Sequence, residues 1–160
     1  MNHHLTVSRV EQHGASCISF EMDAPFTWEA GQFVRITKPD SEVERCYSIS
    51  SIQPPLRLAV KRVPGGQLSN WLNDHLKSGD ILEVSSPAGA FTLRPGERPV
   101  VLIAGGSGIT PILSLAQEAM KAGRVVHLFY ASRSPEEEIY RAQVDALSHS
   151  SVFHLQRHYD

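Results

Sequence analysis

The chain has 160 residues, 41% of them hydrophobic, enough for one full core and part of a second. A formal charge of −2 excludes the basic field of a nucleic-acid binder, and no apolar run approaches the roughly 20 residues that span a bilayer. The start, Met1-Asn2-His3-His4, lacks a signal-peptide core, and Cys17 and Cys46 alone build neither a zinc site nor an iron–sulfur cluster, so a reduced cytoplasmic setting is expected.

To about residue 97 the chain reads as short strands between turns. Candidates are Val7–Val10, Ser16–Met22, Gln32–Thr37, Cys46–Ser50, Leu56–Val63 and Ile81–Ser86, with β-branched residues inside the runs and Gly, Pro, Asp and Asn between them. Such spacing predicts a small antiparallel barrel. One helix interrupts it: Leu68, Trp71, Leu72 and Leu76 share a helical face, and Gly79 stops it. After a linker, Arg94 to Pro99, strands and helices alternate. Strand 100–104 precedes a helix that starts at Pro111 and presents Ile112, Leu115, Ala116 and Ala119 on one face. Val125–Tyr130 is a second strand. Ser134-Pro135-Glu136-Glu137 supplies an N-cap, a proline at N1 and a capping-box glutamate for a second helix. Val152–Leu155 opens a third strand. The alternation predicts a doubly wound parallel sheet, with Val100–Ala104 an uncovered apolar edge that invites pairing.

Two segments carry chemistry. Arg45 and Tyr47 fall on one face of a strand, with Ser48 on the other unless the strand bends. A guanidinium there can clamp a pyrophosphate, a phenol ring can stack on a flavin, and a hydroxyl can bond a flavin nitrogen; the same residues also suit an ordinary exposed strand. Gly105, Gly106, Gly108, Thr110 and Pro111 lie between a strand and a helix, where backbone can approach a phosphate and the helix N-terminus favours its charge. Gly65-Gly66-Gln67-Leu68-Ser69 opens the interrupting helix in a similar way. The ordered pair points to two nucleotide cofactors meeting between two domains.

Taken in order, these segments resemble the ferredoxin–NADP reductase-like flavoproteins, over nearly the whole chain. Arg45-Cys46-Tyr47-Ser48 is similar to the family's Arg-x-Tyr-Ser flavin motif, Val60-Lys61-Arg62-Val63 through Ser69 to its second flavin segment, Ser85 to Phe91 to the turn before its linker, and Gly105 to Pro111 to its pyridine-nucleotide loop. Bacterial oxygenase reductases and the reductase half of flavohaemoglobins are the nearest in flavour. The resemblance implies a six-stranded antiparallel FAD-binding barrel (1–97), then an incomplete doubly wound NAD(P)-binding domain (98–160). It implies Arg45 on FAD pyrophosphate, Tyr47 stacked on the flavin ring, and Ser48 and the adjoining Ile49 beside it. The backbone of Val60, Lys61 and Arg62 would meet the ribityl chain and flavin edge, and Gly65, Gly66, Gln67, Leu68 and Ser69 a phosphate. Gly105, Gly106, Gly108 and Pro111 would hold NAD(P)H, with Thr110 near both rings. Ser132 and Arg133 follow the second strand, where the family reads the adenosine ribose. Arg133 there either meets a 2′-phosphate or is solvated, and Tyr140 either packs on adenine or is a helix-surface aromatic.

The implied activity is transfer of electrons from NAD(P)H through FAD to an iron–sulfur or haem acceptor, with Ser48 and Thr110 nearest the chemistry. A non-catalytic, partner-dependent flavin-binding subunit is the alternative. The family's usual Cys-Gly segment and terminal aromatic do not occur after Leu147. The chain as given is therefore expected to hold FAD better than it turns over. The eight histidines show no metal spacing and are expected at the surface or in strands, and Gly106-Ser107-Gly108 lacks the spacing of a hydrolase elbow.

Overall fold

The structure, a computed structural model, describes residues 1–160. Strands β1 (Asn2–His13), β2 (Cys17–Met22), β3 (Phe33–Thr37), β4 (Glu44–Ser48), β5 (Leu56–Lys61) and β6 (Ile81–Ser85) form one antiparallel sheet in the order β4-β3-β6-β1-β2-β5. The sheet curls until its edges approach, and Ser50 N–H donates to Arg57 C=O at 2.9 Å. Alternation fills the interior: Val34, Ile36, Leu58, Val60, Leu82 and Val84 are essentially buried, and α1 (Gln67–His75) closes one end with Leu68 and Leu72. Each such side chain contributes about 1.5–3 kcal/mol on leaving water.

β1 is far longer than Val7–Val10. Its first part pairs with β6, from Asn2↔Ser85 to Thr6↔Ile81, and its second with β2, with a register shift between Val7 and Arg9. That irregularity lets one strand serve two neighbours.

The second unit stacks β7 (Val100–Gly105), β8 (Val126–Ser132) and β9 (Phe153–Tyr159) as a parallel sheet in the order β7-β8-β9, with α2 (Ile109–Lys121) and α3 (Arg141–Leu147) in the crossovers. α2 lays Ile109, Ile112, Leu113, Leu115, Ala116 and Ala119 on Leu102, Ala104, Leu128 and Tyr130. The expected apolar edge is present: β7 pairs only with β8, and Val101 and Ile103 are 62% and 75% exposed. No helix is long and apolar enough to cross a membrane.

Two helix starts differ from expectation. α2 begins at Ile109, after a single 3₁₀ turn at Gly106–Gly108, so Pro111 is its third residue. α3 begins at Arg141, not at Pro135. Glu137 N–H does reach Ser134, but Tyr140 turns left-handed at φ 60° and ends that first turn. The glutamates are used elsewhere: Glu137 crosses to the barrel, and Glu138 is buried under β9. Tertiary partners outweigh the local cap. Tyr140 is neither adenine-facing nor on a helix surface; it is fully buried, its ring edge-on to His13 of the barrel at 5.3 Å. His13 likewise is buried, accepting or donating a bond with Ser19 Oγ at 2.8 Å.

The two units share a core. Cys17, Ala30 and Ala59 of the barrel pack in the cluster that holds Ile109, Leu113 and Tyr130. Gly31 N–H donates to Ser114 Oγ across the seam at 3.1 Å.

Candidate functional site

Two clefts lie side by side. The first, about 430 Å³, is lined by Arg45, Cys46, Tyr47, Lys61 and the run Val63 to Ser69. β4 supplies its wall. Arg45 and Tyr47 pair with Ile36 and Val34 of β3 and so share a face, while Cys46 pairs with exposed Arg35. The Arg45 guanidinium is exposed and rests only on the neighbouring Glu44 carbonyl, at 2.6 Å, so its remaining N–H groups are free for a ligand. Tyr47 is half-buried against the barrel core. Burial pushes its phenol up to about 12, against the opposing charge of Arg45, so the ring stays neutral and suited to stacking. Ser48 is half-buried, beside Phe33.

Opposite stands the start of α1. The first helical bond there runs from Asn70 N–H to Gly66 C=O, so Gln67, Leu68 and Ser69 present N–H groups without intrahelical partners. Ser69 Oγ accepts from Val63 N–H at 3.2 Å, which closes the loop and leaves its proton to donate. Arg62 turns away to Asp74, at 2.7 Å. The side chains of Ile49, Val60 and Leu68 are inside the barrel core, which leaves only their backbone for a ligand.

The second cleft, about 230 Å³, is lined by Lys61, Gly105, Gly106, Ala131, Ser132, Arg133, Glu137 and Asp160. It sits outside the C-terminal ends of β7 and β8, where parallel sheets bind ligands. Gly106 adopts φ 50°, a conformation that a side chain would strain, and its turn aims the loop backbone outward. Thr110 is buried, donating to Ser107 C=O at 2.9 Å, so its hydroxyl braces the loop. Pro111 is half-buried in the first turn of α2, and Gly108 precedes that helix. Ser132 lines the cleft, but its Oγ is buried and has no hydrogen-bond partner. Arg133 is exposed beside it.

Lys61 belongs to both clefts. Its Nζ lies 3.6 Å from where a Cβ on Gly106 would stand, and it enters no ion pair. The sequence pointed to its backbone; the structure adds an ammonium without an ion-pair partner between the two clefts. Tyr130 was not anticipated at all. From the core, its hydroxyl donates to Ile139 C=O at 3.0 Å and lies 3.5 Å from Gly106 C=O, joining the glycine loop to the loop after β8. Burial raises its phenol well above the usual tyrosine range, which keeps the proton available.

A barrel whose flavin-type cleft abuts the phosphate loop of a parallel sheet defines a two-domain flavin and pyridine-nucleotide protein. Comparison agrees. Residues 4–93 match the oxidoreductase FAD-binding domain and residues 102–159 the oxidoreductase NAD-binding domain. The chain belongs to this FAD- and NAD-binding oxidoreductase family. It is similar to a flavohemoprotein of Pseudomonas putida, at 37% identity over 88% of this chain and 38% of that protein. It is also similar to the ferredoxin reductase component of 3-ketosteroid-9-alpha-monooxygenase from Rhodococcus rhodochrous, at 35% identity over 90% of this chain and 45% of that protein. Among solved structures, phthalate dioxygenase reductase, described as a modular structure for electron transfer from pyridine nucleotides to 2Fe-2S, superposes with TM-score 0.85 at 31% identity, over 99% of this chain and 52% of that one. The chain thus spans less than half the length of the two curated relatives named.

Proposed function

We propose that the protein passes electrons from NAD(P)H through FAD to an iron–sulfur or haem acceptor. The observation that carries this is the abutment of the two clefts at Lys61. FAD fits the first cleft: Arg45 would bind its pyrophosphate, the α1 N-terminus would bind phosphate, and Tyr47 would cover the ring. The pyridine nucleotide fits the second, with its pyrophosphate at Gly105–Gly106 and its adenosine side at Ser132 and Arg133. When bound, the flavin supplies the hydride-accepting and electron-transferring chemistry. The chain's own residues bind, orient and neutralise. Lys61 offsets negative charge at the boundary, Thr110 holds the glycine loop in shape, and Ser48 offers a hydroxyl beside Tyr47. The two names of most use, an oxygenase reductase component and a flavohemoprotein, support an iron–sulfur or haem acceptor. A reduced, cytoplasmic setting is part of this proposal.

The test is anaerobic titration of the FAD-loaded protein with NADH and NADPH. Bleaching of the flavin absorbance is expected. Retention of colour with both nucleotides would favour a flavin-binding subunit without turnover.

A further inference from the structure

Glu137 stands in the loop between β8 and α3, four residues beyond Arg133, and lines the nucleotide cleft. Yet its carboxylate leaves that loop for the barrel. Oε2 accepts from Ser16 Oγ at 3.0 Å and Oε1 from Ala15 N–H at 3.4 Å, both in the β1–β2 turn. The turn is shaped to receive it. Gly14 has φ 56°, and a Cβ there would stand 2.8 Å from Glu137 Oε1 and 3.1 Å from the Glu136 carbonyl oxygen. A side chain at Gly14 would crowd the Glu137 carboxylate and press on the Glu136 carbonyl. The connection then continues into the flavin side: Ser16 C=O accepts from Arg62 N–H at 2.7 Å, and Cys17 pairs with Lys61. On the loop's other flank, Tyr130 ties Ile139 to the glycine turn.

From this we infer that Glu137 is a positioning residue for the pyridine nucleotide, a latch that seats the adenosine-side loop against the barrel. It touches no cofactor atom in this role. It acts by fixing Ser132 and Arg133 relative to Lys61 and the glycine loop, so that one dinucleotide meets all of them at once. The inference rests on the proposed nucleotide site. Since the loop does not line the first cleft, loss of the latch weakens nucleotide binding and spares FAD. A purely structural glutamate would instead affect both through stability.

The experiment is calorimetric titration of the protein with FAD and, separately, of the FAD-loaded protein with ADP-ribose, which carries the adenosine and pyrophosphate without the reacting ring. Glu137→Ala should weaken ADP-ribose by about tenfold, the worth of one charge-assisted hydrogen bond, with FAD affinity unchanged. Glu137→Gln keeps a carbonyl acceptor for Ser16 without the charge and should recover part of the loss; Glu137→Asp, too short to reach, should not. Ser16→Ala should weaken ADP-ribose similarly and add nothing to Glu137→Ala, the non-additivity expected of a single contact. Unchanged ADP-ribose affinity in Glu137→Ala and Ser16→Ala, or equal loss of FAD, overturns the latch while leaving the nucleotide site standing. No ADP-ribose binding by the unaltered protein overturns the site and the latch together.

Discussion

Replacing Glu138 by glutamine tests whether the loop beside the nucleotide cleft is held from below. The Glu138 side chain is fully buried, with Arg157 Nε at 2.9 and 3.0 Å from its two oxygens and Arg157 Nη2 at 2.9 Å. Tyr159 donates its hydroxyl to Oε2 at 2.7 Å, and Arg141 lies 3.5 Å away. Arg157 is further held by Asp145 at 2.5 Å, so its charge keeps one counter-ion after the change. Glutamine retains one acceptor and turns its NH₂ toward the donors that used the other. Breaking one side of a buried ion pair costs about 3–5 kcal/mol. Arg157 keeps Asp145 and is partly solvated, so no charge is left buried alone and the loss falls below that range, to about 1.5–3 kcal/mol, the worth of a charged hydrogen bond. Against a total of about 5–15 kcal/mol for a domain, such a loss is readily measured. Urea unfolding followed by tryptophan fluorescence and circular dichroism should show a lower midpoint at unchanged slope. A loss below about 1 kcal/mol, the range of an exposed pair, would refute the argument that burial makes this network strong.

The other predictions concern the clefts. Arg45→Ala should weaken FAD by about tenfold to a hundredfold, the loss of one charged hydrogen bond; unchanged affinity would remove Arg45 from the pyrophosphate. Lys61→Met, which keeps the stem and deletes the charge, should weaken ADP-ribose by about tenfold and flatten the salt dependence of binding; an unaltered salt slope would show that the ammonium faces no phosphate. Arg133→Ala should weaken NADPH and spare NADH, and equal loss of both would show that Arg133 does not read the 2′-phosphate. Burial holds the His13 imidazole below its ordinary value, with Glu11 opposing and Arg57 assisting. The unfolded chain therefore binds this proton first as pH falls below about 6.5, and stability should decline there by up to about 1.4 kcal/mol per pH unit until the folded group also titrates. His13→Gln should flatten that decline between pH 7 and 5, and an identical slope would place its origin elsewhere.

Most of the architecture was legible because period and punctuation are local. Runs rich in β-branched residues between turn residues marked β2, β3, β5 and β6, and the 3.6-residue stripe marked α1 and α2, although α1 stops at His75, ahead of Gly79. Both glycine-rich turns that line the clefts were legible for the same reason: a Gly-rich turn ahead of a helix is a contiguous stretch of chain. What depends on distant partners was not. β1 extends through Asn2-His3-His4 because β6 offers it an edge, although that stretch carries little strand signal. The capping box at Ser134 spells a helix start, yet Glu137 and Glu138 find stronger partners in Ser16 and Arg157, so α3 waits until Arg141. Tyr140 and His13 are buried because two units meet there, and neither unit alone would bury them.

The amino-acid sequence by itself therefore determined which segments could cradle phosphate and which faces had to leave water. Those are properties of neighbouring residues along the backbone. Only the tertiary structure decided that Lys61 stands between the two clefts and that Glu137 reaches the barrel. Each unites groups far apart in the chain, and their distance is set by how the barrel and the parallel sheet pack, a sum over many contacts that no single stretch encodes.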